Sequence, residues 1–147
     1  MIEYPKINIA LEYLEAAIEE RELHQRYFVA MNLAGVAEEL LGKIIRVVGK
    51  TDQLTNTANT LTEVQKVGIE HLGWEERSKK DFKTLLGSTK NSIKHMNILS
   101  DSNAKLYFTV EDESKWLIWA AIRNIDILEI YHSDPVKDFI EKYPESS

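Results

Sequence analysis

The sequence contains no cysteine, only three prolines among its 147 residues, and no long apolar run. Without cysteine the chain forms no disulfide, no thiolate metal site and no cysteine nucleophile. A helix that crosses a bilayer needs about 18 to 20 consecutive apolar residues, so we expect no membrane association. The chain also lacks the charged start and short apolar stretch of an export signal. Together these absences predict a cytoplasmic protein.

Basic residues are in the minority. There are 18 lysines and arginines against 24 aspartates and glutamates, which gives a formal net charge of −6. Nonspecific nucleic-acid binders usually carry a basic excess, because phosphate neutralisation supplies most of their affinity. The balance argues against a general coat protein but leaves room for a local RNA-binding patch. Such a patch, or alternatively a plain solvated helix face, is formed by Lys79, Lys80, Lys83, Lys90 and Lys94.

The spacing of the apolar residues in the sequence is mainly that of α-helices. Every long segment repeats its apolar residues at helix spacing, and no stretch alternates long enough for a strand. With 44% hydrophobic residues the chain can bury a core of its own. We therefore predict an all-α fold, a single up-and-down-like bundle of five or six helices, in one domain covering residues 1–147.

Capping residues predict where these helices begin. We expect the second helix to end near Val48, before Gly49, and residues 49–59 to form a loop ahead of a third helix that ends near Gly73. The predicted helix starts are small polar residues or proline: Pro5, Thr60 with Glu63 in capping-box spacing, Ser78 with Asp81, Asp112, and Asp134 before Pro135.

The second helix carries a carboxylate on its apolar face. Glu38 falls among the alanines and leucines of a wide stripe, whereas Glu39 points outward with Lys43 four residues on. A carboxylate on an apolar face must find hydrogen-bond partners or take up a proton. We favour a buried structural role for Glu38 and keep it as a candidate for substrate binding.

One histidine stands in a distinctive run, Lys90-Asn91-Ser92-Ile93-Lys94-His95. Histidine exchanges protons near neutral pH, so His95 suits acid–base chemistry. Asn91 and His95 are four residues apart and share one helix face, which Ser88 continues. Lys90 and His95 are five apart, or roughly 140° around an ideal helix. They converge only if the lysine curls round, the helix distorts, or a second subunit supplies the partner.

The bare spacing of Lys90 and His95 is not distinctive, since Lys66 and His71 repeat it. The context of the later pair is distinctive, because an amide follows its lysine. The whole run resembles the signature of the HEPN superfamily, small α-helical domains of which many are metal-independent ribonucleases. In those relatives an arginine comes first, then a polar residue, then the histidine a few positions on.

Two further segments carry the same resemblance. Superfamily members have a Glu-Glu, Leu-Gly string on an early helix, here residues 33–43, and an arginine and aspartate on a final helix, here Arg123-Asn124-Ile125-Asp126. The three strings occur in order between about residues 26 and 130. The main departure is Lys90, which stands where the superfamily has arginine. Lysine offers phosphate a point charge without the bidentate fork of a guanidinium.

The resemblance implies an RNA-cleaving or RNA-binding module of stress, defence or toxin–antitoxin type. It also implies a homodimer, a cognate antitoxin protein as a partner, and no metal or other cofactor. The alternative is a non-catalytic helical dimer that binds a nucleotide or a protein. A third possibility is that the run 90–95 is only part of the exposed surface of an unrelated helical bundle. The implied roles are acid–base chemistry for His95, phosphate positioning for Asn91, charge for Lys90, and substrate binding for Lys94, Ser88 and Glu38.

Two other patterns are weaker. Glu129 and His132 have the Glu-x-x-His spacing of di-iron bundles, but such sites need two of these motifs, so we expect no metal site. Trp74, Trp116 and Trp119 are more readily core or interface anchors than platforms for base stacking.

Overall fold

Helices account for most of the chain. The structure is a computed structural model that describes residues 2–94 and 109–145, with the backbone alone for residues 87–94. Over these ranges no strand occurs, and the predicted all-α bundle is confirmed. The helices are α1 (Lys6–Glu22), α2 (Tyr27–Val47), α3 (Gln53–Leu72), α4 (Lys79–Lys94), α5 (Val110–Ile127) and α6 (Asp134–Lys142).

The core lies between four of these helices. Helix α2 packs along α1 on one side and α5 on the other, and α6 packs against α1. Alanines on α1 and α2 are fully buried where the two helices meet, because a small side chain lets the backbones approach closely. The large fully buried side chains come from all four helices and include Leu14, Met31, Leu41, Ile118, Ile122 and Phe139.

Helices α3 and α4 form a hairpin, residues 53–94, in which the two helices pack against each other while α4 also contacts α2 and α3 also contacts α5. Only Ala58, Gln65 and Gly68 of α3 are buried. The Gln65 amide closes the turn, since its Nε2 donates to the Arg77 carbonyl at 2.9 Å and its Oε1 accepts from the Arg77 N–H at 2.6 Å. The Trp74 ring lies over Gly68, where a Cβ atom would overlap it. Among the hairpin residues whose side chains are described, 53–86, few are buried.

The predicted start of the third helix was wrong. Helix α3 begins at Gln53, so most of the predicted 49–59 loop is helical. Its cap is Asp52, whose Oδ1 accepts from the Thr55 N–H at 2.9 Å. Thr60 lies inside the helix and donates to the Asn56 carbonyl at 3.1 Å. Threonine and asparagine disfavour helix interiors only weakly, and tertiary contacts outweigh that preference here.

The other predicted starts lie within two residues of the observed ones, although Asp134 is the first residue of α6 and not its cap, and Pro5 caps α1 without being its first helical residue. The capping box of α4 is confirmed, because the Ser78 N–H donates to Asp81 Oδ2 at 2.9 Å and the Asp81 N–H donates to Ser78 Oγ at 3.1 Å. Helix α5 begins at Val110, so Asp112 lies in its first turn and is not its cap. The observed cap residues of α1 and α6 are Pro5 and Ser133, each just before the helix.

Gly49 follows α2 with a positive φ of 78°, as expected of a glycine that ends a helix. Within residues 2–94 and 109–145, none of the helices is long and apolar enough to cross a bilayer.

Candidate functional site

Four of the predicted site residues lie on the second half of α4. The backbone is helical through Ser88, Lys90, Asn91 and Lys94, as the sequence predicted. The side chains of these residues are outside the described part of the structure, and so is the whole of His95. The predicted meeting of an imidazole, an amide and a lysine therefore stays a prediction.

Glu38 is the predicted residue whose surroundings are described. It is buried on α2, while Glu39 points outward and accepts a hydrogen bond from Lys43 at 3.0 Å, both as predicted. Glu38 lines a small cavity of about 10 Å³ together with Leu86 of α4 and Trp116 of α5. This volume suits a single water molecule. Residues of α3 also line it, so the cavity marks the point where four helices meet.

The same cavity relates Glu38 to the predicted run on α4. Lys90 follows Leu86 by four residues, so it lies about one turn, roughly 6 Å, further along the helix axis. Helix α4 also packs against α2. The backbone of the run thus continues directly from the point where α4 touches the Glu38 cavity.

Asn124 links α5 to both α2 and α3. Its side chain is fully buried, its Nδ2 donates to the Glu38 carbonyl at 3.1 Å, and its Oδ1 accepts from the Gln53 N–H at 2.8 Å. The sequence places this amide between Ile122 and Ile125 on an apolar helix face, which was a usable signal for a buried hydrogen-bonding role. Sequence reasoning had noted Asn124 only as part of a string.

The start of α3 is fixed beside Asn124 by a buried carboxylate that pairs with a half-exposed arginine. Asp52 is 1% exposed, caps α3 and pairs with Arg46 of α2. Burial acts to raise the pKa of Asp52, but the hydrogen bonds from Thr55 and Arg46 outweigh it and hold this pKa below its usual value. The carboxylate therefore stays charged and keeps α2 and α3 together.

A second polar cluster, centred on Arg21, connects helices at the opposite end of the bundle. Arg21 is 8% exposed, and its Nε donates to Ser114 Oγ at 3.0 Å, its Nη1 to the Tyr143 hydroxyl at 2.9 Å, and its Nη2 to the Glu111 carbonyl at 3.2 Å. It also pairs with Glu22 and lies 4.7 Å from the Tyr143 ring centroid. Since its donors are committed to α1, α5 and α6, the role is structural.

Glu22 connects this cluster to α6. Lys142 Nζ donates to its Oε2 at 2.5 Å, and the Tyr143 hydroxyl donates to the same oxygen at 3.2 Å. Burial acts to raise the pKa of Glu22, whereas Lys142 and Arg21 lower it and prevail. Sequence reasoning missed this cluster, although a cation three residues after Ile18 on the apolar face of α1 was a signal.

The tryptophans behave mostly as predicted. Trp116 and Trp119 pack partly against the core, and Trp119 Nε1 donates to the Tyr143 carbonyl at 3.1 Å. Their outer faces line a cleft with Arg123, which pairs with Glu145. Trp74 is half-exposed on the hairpin.

The side chains of Glu129 and His132 are not grouped as metal ligands. His132 Nε2 lies 2.6 Å from Asp126 Oδ1, and Glu129 is largely exposed. In the ranges that the structure describes, no three histidine, aspartate or glutamate side chains are grouped to hold a metal ion.

No known protein family, curated protein or solved structure matches this chain significantly.

Proposed function

We propose that this protein is a HEPN-like, RNA-directed module whose reaction site is the C-terminal end of α4. One observation carries the proposal. The three sequence strings of the resemblance belong to helices that meet at one point, where Asn124 of α5 binds the Glu38 carbonyl of α2 and Leu86 of α4 lines the adjoining cavity. This arrangement supports the proposal, because the α4 string begins about one turn beyond Leu86.

The proposed chemistry is cleavage of RNA by its own ribose. A base removes the proton of a 2′-hydroxyl, the 2′-oxygen attacks phosphorus, and the bond to the 5′-oxygen breaks as an acid protonates that oxygen. The products are a 2′,3′-cyclic phosphate and a 5′-hydroxyl end. His95 is the acid–base residue, Asn91 donates to a phosphate oxygen, and Lys90 balances the charge of the phosphorane.

We further propose that the protein acts as a homodimer joined through the hairpin. The hairpin exposes large apolar side chains, and a cluster of this kind commonly marks an interaction surface. A second subunit on this surface would also lie beside the α4 run and supply the partner that Lys90 cannot reach within one helix. The side chains of this surface, at least half exposed, are Val64, Val67, Leu72, Trp74 and Leu85.

Cleavage of a labelled single-stranded RNA, in the presence of a metal chelator, tests the proposal. We expect His95→Ala to lower the cleavage rate by roughly 10²- to 10⁴-fold, as the loss of an acid–base residue does. Lys90→Arg should raise the rate, because the guanidinium fork clamps phosphate better. The reaction should leave 2′,3′-cyclic phosphate ends.

The chain provides a matched control on α3. Lys66 and His71 have the same spacing, and their side chains are exposed. Lys66→Arg and His71→Ala should leave the rate unchanged. Intact RNA with both the natural protein and Lys90→Arg, or cleavage that persists in His95→Ala, would contradict the nuclease proposal.

The competing proposal is a non-catalytic dimer that binds a nucleotide or a protein partner such as a cognate antitoxin. It is favoured by Lys90, which lacks the fork that a phosphorane clamp uses. RNA left intact by the natural protein and by Lys90→Arg, together with a nucleotide or protein whose binding is weakened by Lys90→Ala and not by Lys66→Ala, would decide for it.

A further inference from the structure

A groove runs between the C-terminal half of α1 and α6, away from α4. Its floor is apolar, formed by the buried side chains of Ile18 and Phe139. Leu23, which is 72% exposed, and Pro135 lie at its edge. The groove has a volume of about 470 Å³, and we call it the α1–α6 groove. It is open to an apolar side chain from outside.

The walls of the α1–α6 groove are acidic. Glu15, Glu19 and Glu22 line it from α1, and Asp138 lines it from α6. Among its lining residues the structure describes one cation, Lys142, and that lysine is held by Glu22 at 2.5 Å. The groove therefore presents a surplus of negative charge on both sides of an apolar floor.

Two of these carboxylates have no described counter-charge. Within the described ranges neither Glu15 nor Asp138 takes part in an ion pair, and Glu19 has only His24, at 3.8 Å. These two residues lie on opposite walls, so a cationic occupant would meet a carboxylate on each side.

We propose that the α1–α6 groove binds a short amphipathic helix of a partner protein, with an apolar ridge flanked by lysine or arginine. Apolar anchors at i, i+4 and i+7 fill such a groove. The acidic wall of α1 from Glu15 to Glu22 has the same length, seven residues or roughly 10 Å. Charge complementarity then fixes the sign of the partner's flanking residues.

The same charges disfavour other occupants. Glu15, Glu19 and Asp138 repel the phosphates of RNA, whereas the charge of Glu22 is already offset by Arg21 and Lys142. A second copy of this chain has a net charge of −6 and is a poor match. The inference is independent of the chemistry proposed for α4, since no residue of α4 lines this groove.

A synthetic peptide of about 14 residues tests the inference, with leucines at i, i+3, i+4 and i+7 and lysine or arginine at the flanking positions. Its binding to the full chain is followed by fluorescence anisotropy. We expect saturable binding that weakens with salt. Replacing the basic residues of the peptide by glutamate, or its leucines by serine, should abolish binding.

Protein variants locate the contact. Glu15→Gln with Asp138→Asn should weaken binding roughly three- to tenfold, the range for two partly exposed ion pairs. Leu23→Ser should weaken it through the lost apolar contact. The matched control, Glu70→Gln with Glu76→Gln, makes the same change in net charge on the hairpin and should leave affinity unchanged.

Three results would overturn the inference. These are failure of the peptide to bind, equal loss of affinity in the two double variants, and NMR shift changes that fall outside α1 and α6. Circular dichroism of each variant would establish that it is folded before affinities are compared.

Discussion

At the scale of single residues, the bundle depends on a few buried polar side chains that bridge different helices. Asn124, Asp52 and Arg21 each bind groups from at least two helices. A buried polar group stabilises a fold only when its hydrogen bonds are satisfied, and removing one partner leaves the other buried and unpaired. Substituting any one of these residues should therefore cost more stability than substituting an exposed polar residue.

Asn124→Leu should lower the free energy of unfolding by about 2 kcal/mol, because it removes the partner of the Gln53 N–H and adds an apolar group beside the Glu38 carbonyl. Urea denaturation measures the change. Asn56→Ala is the matched control, since the exposed Asn56 amide makes a single hydrogen bond to the Thr51 carbonyl. The control should cost under about 0.5 kcal/mol. Equal losses would contradict the linking role of Asn124.

At the scale of elements, the helices differ in how they are held. Helices α1, α2, α5 and α6 share one apolar core, whereas α3 and α4 pack against each other as a hairpin beside it. In that turn the Gln65 amide binds the Arg77 backbone and the Trp74 ring covers Gly68. The hairpin should therefore open at lower free energy than the rest of the bundle, because it buries little apolar surface.

Gly68→Ala tests this element. Alanine normally stabilises a helix interior by about 0.5 to 1 kcal/mol relative to glycine. Here the added Cβ overlaps the Trp74 ring, so we expect a loss of about 1 to 3 kcal/mol, with faster hydrogen exchange in residues 53–86. In the control Gly42→Ala the nearest atom is the end of Arg46 at 3.4 Å. That variant should be neutral or stabilised, and a stabilised Gly68→Ala would disprove the packing argument.

At the scale of the whole molecule, two carboxylates with lowered pKa values connect separate helices of the bundle. Asp52 connects α2 to α3, and Glu22 connects α1 to α6. Because each pKa is lower folded than unfolded, each contributes stability above its unfolded pKa and loses it as the pH falls through its folded pKa. Glu113 has the opposite effect on the pH dependence of stability, since burial and the neighbouring charge of Asp112 raise its pKa.

Acidification should therefore destabilise the molecule from about pH 5 downwards. Asp52→Asn keeps a residue that caps helices well but removes the titrating group. We expect it to be less stable than the natural protein at pH 7 and to lose less stability between pH 7 and pH 4. Urea denaturation at both pH values measures this. Glu70→Gln, at an exposed position, should keep the pH dependence of the natural protein, and an unchanged dependence in Asp52→Asn would contradict the argument.

The candidate site shows how far sequence reasoning reached. The outward ion pair of Glu39, the burial of Glu38 and the helical state of Lys90 and Asn91 followed from apolar spacing alone. The meeting of Glu38 with Asn124 could not be read from the chain, because 86 residues separate them. Spacing predicts which face a residue occupies, and it does not predict which other helix that face meets.

The sequence by itself determined the helices, their apolar faces and the capping box of Ser78 and Asp81, because all of these depend on residues within a few positions of one another. Only the tertiary structure decided that α3 begins at Gln53, and that Arg21 and Asn124 hold the bundle together. Those outcomes depend on hydrogen bonds between distant segments. Local preference is weak enough for such contacts to override it.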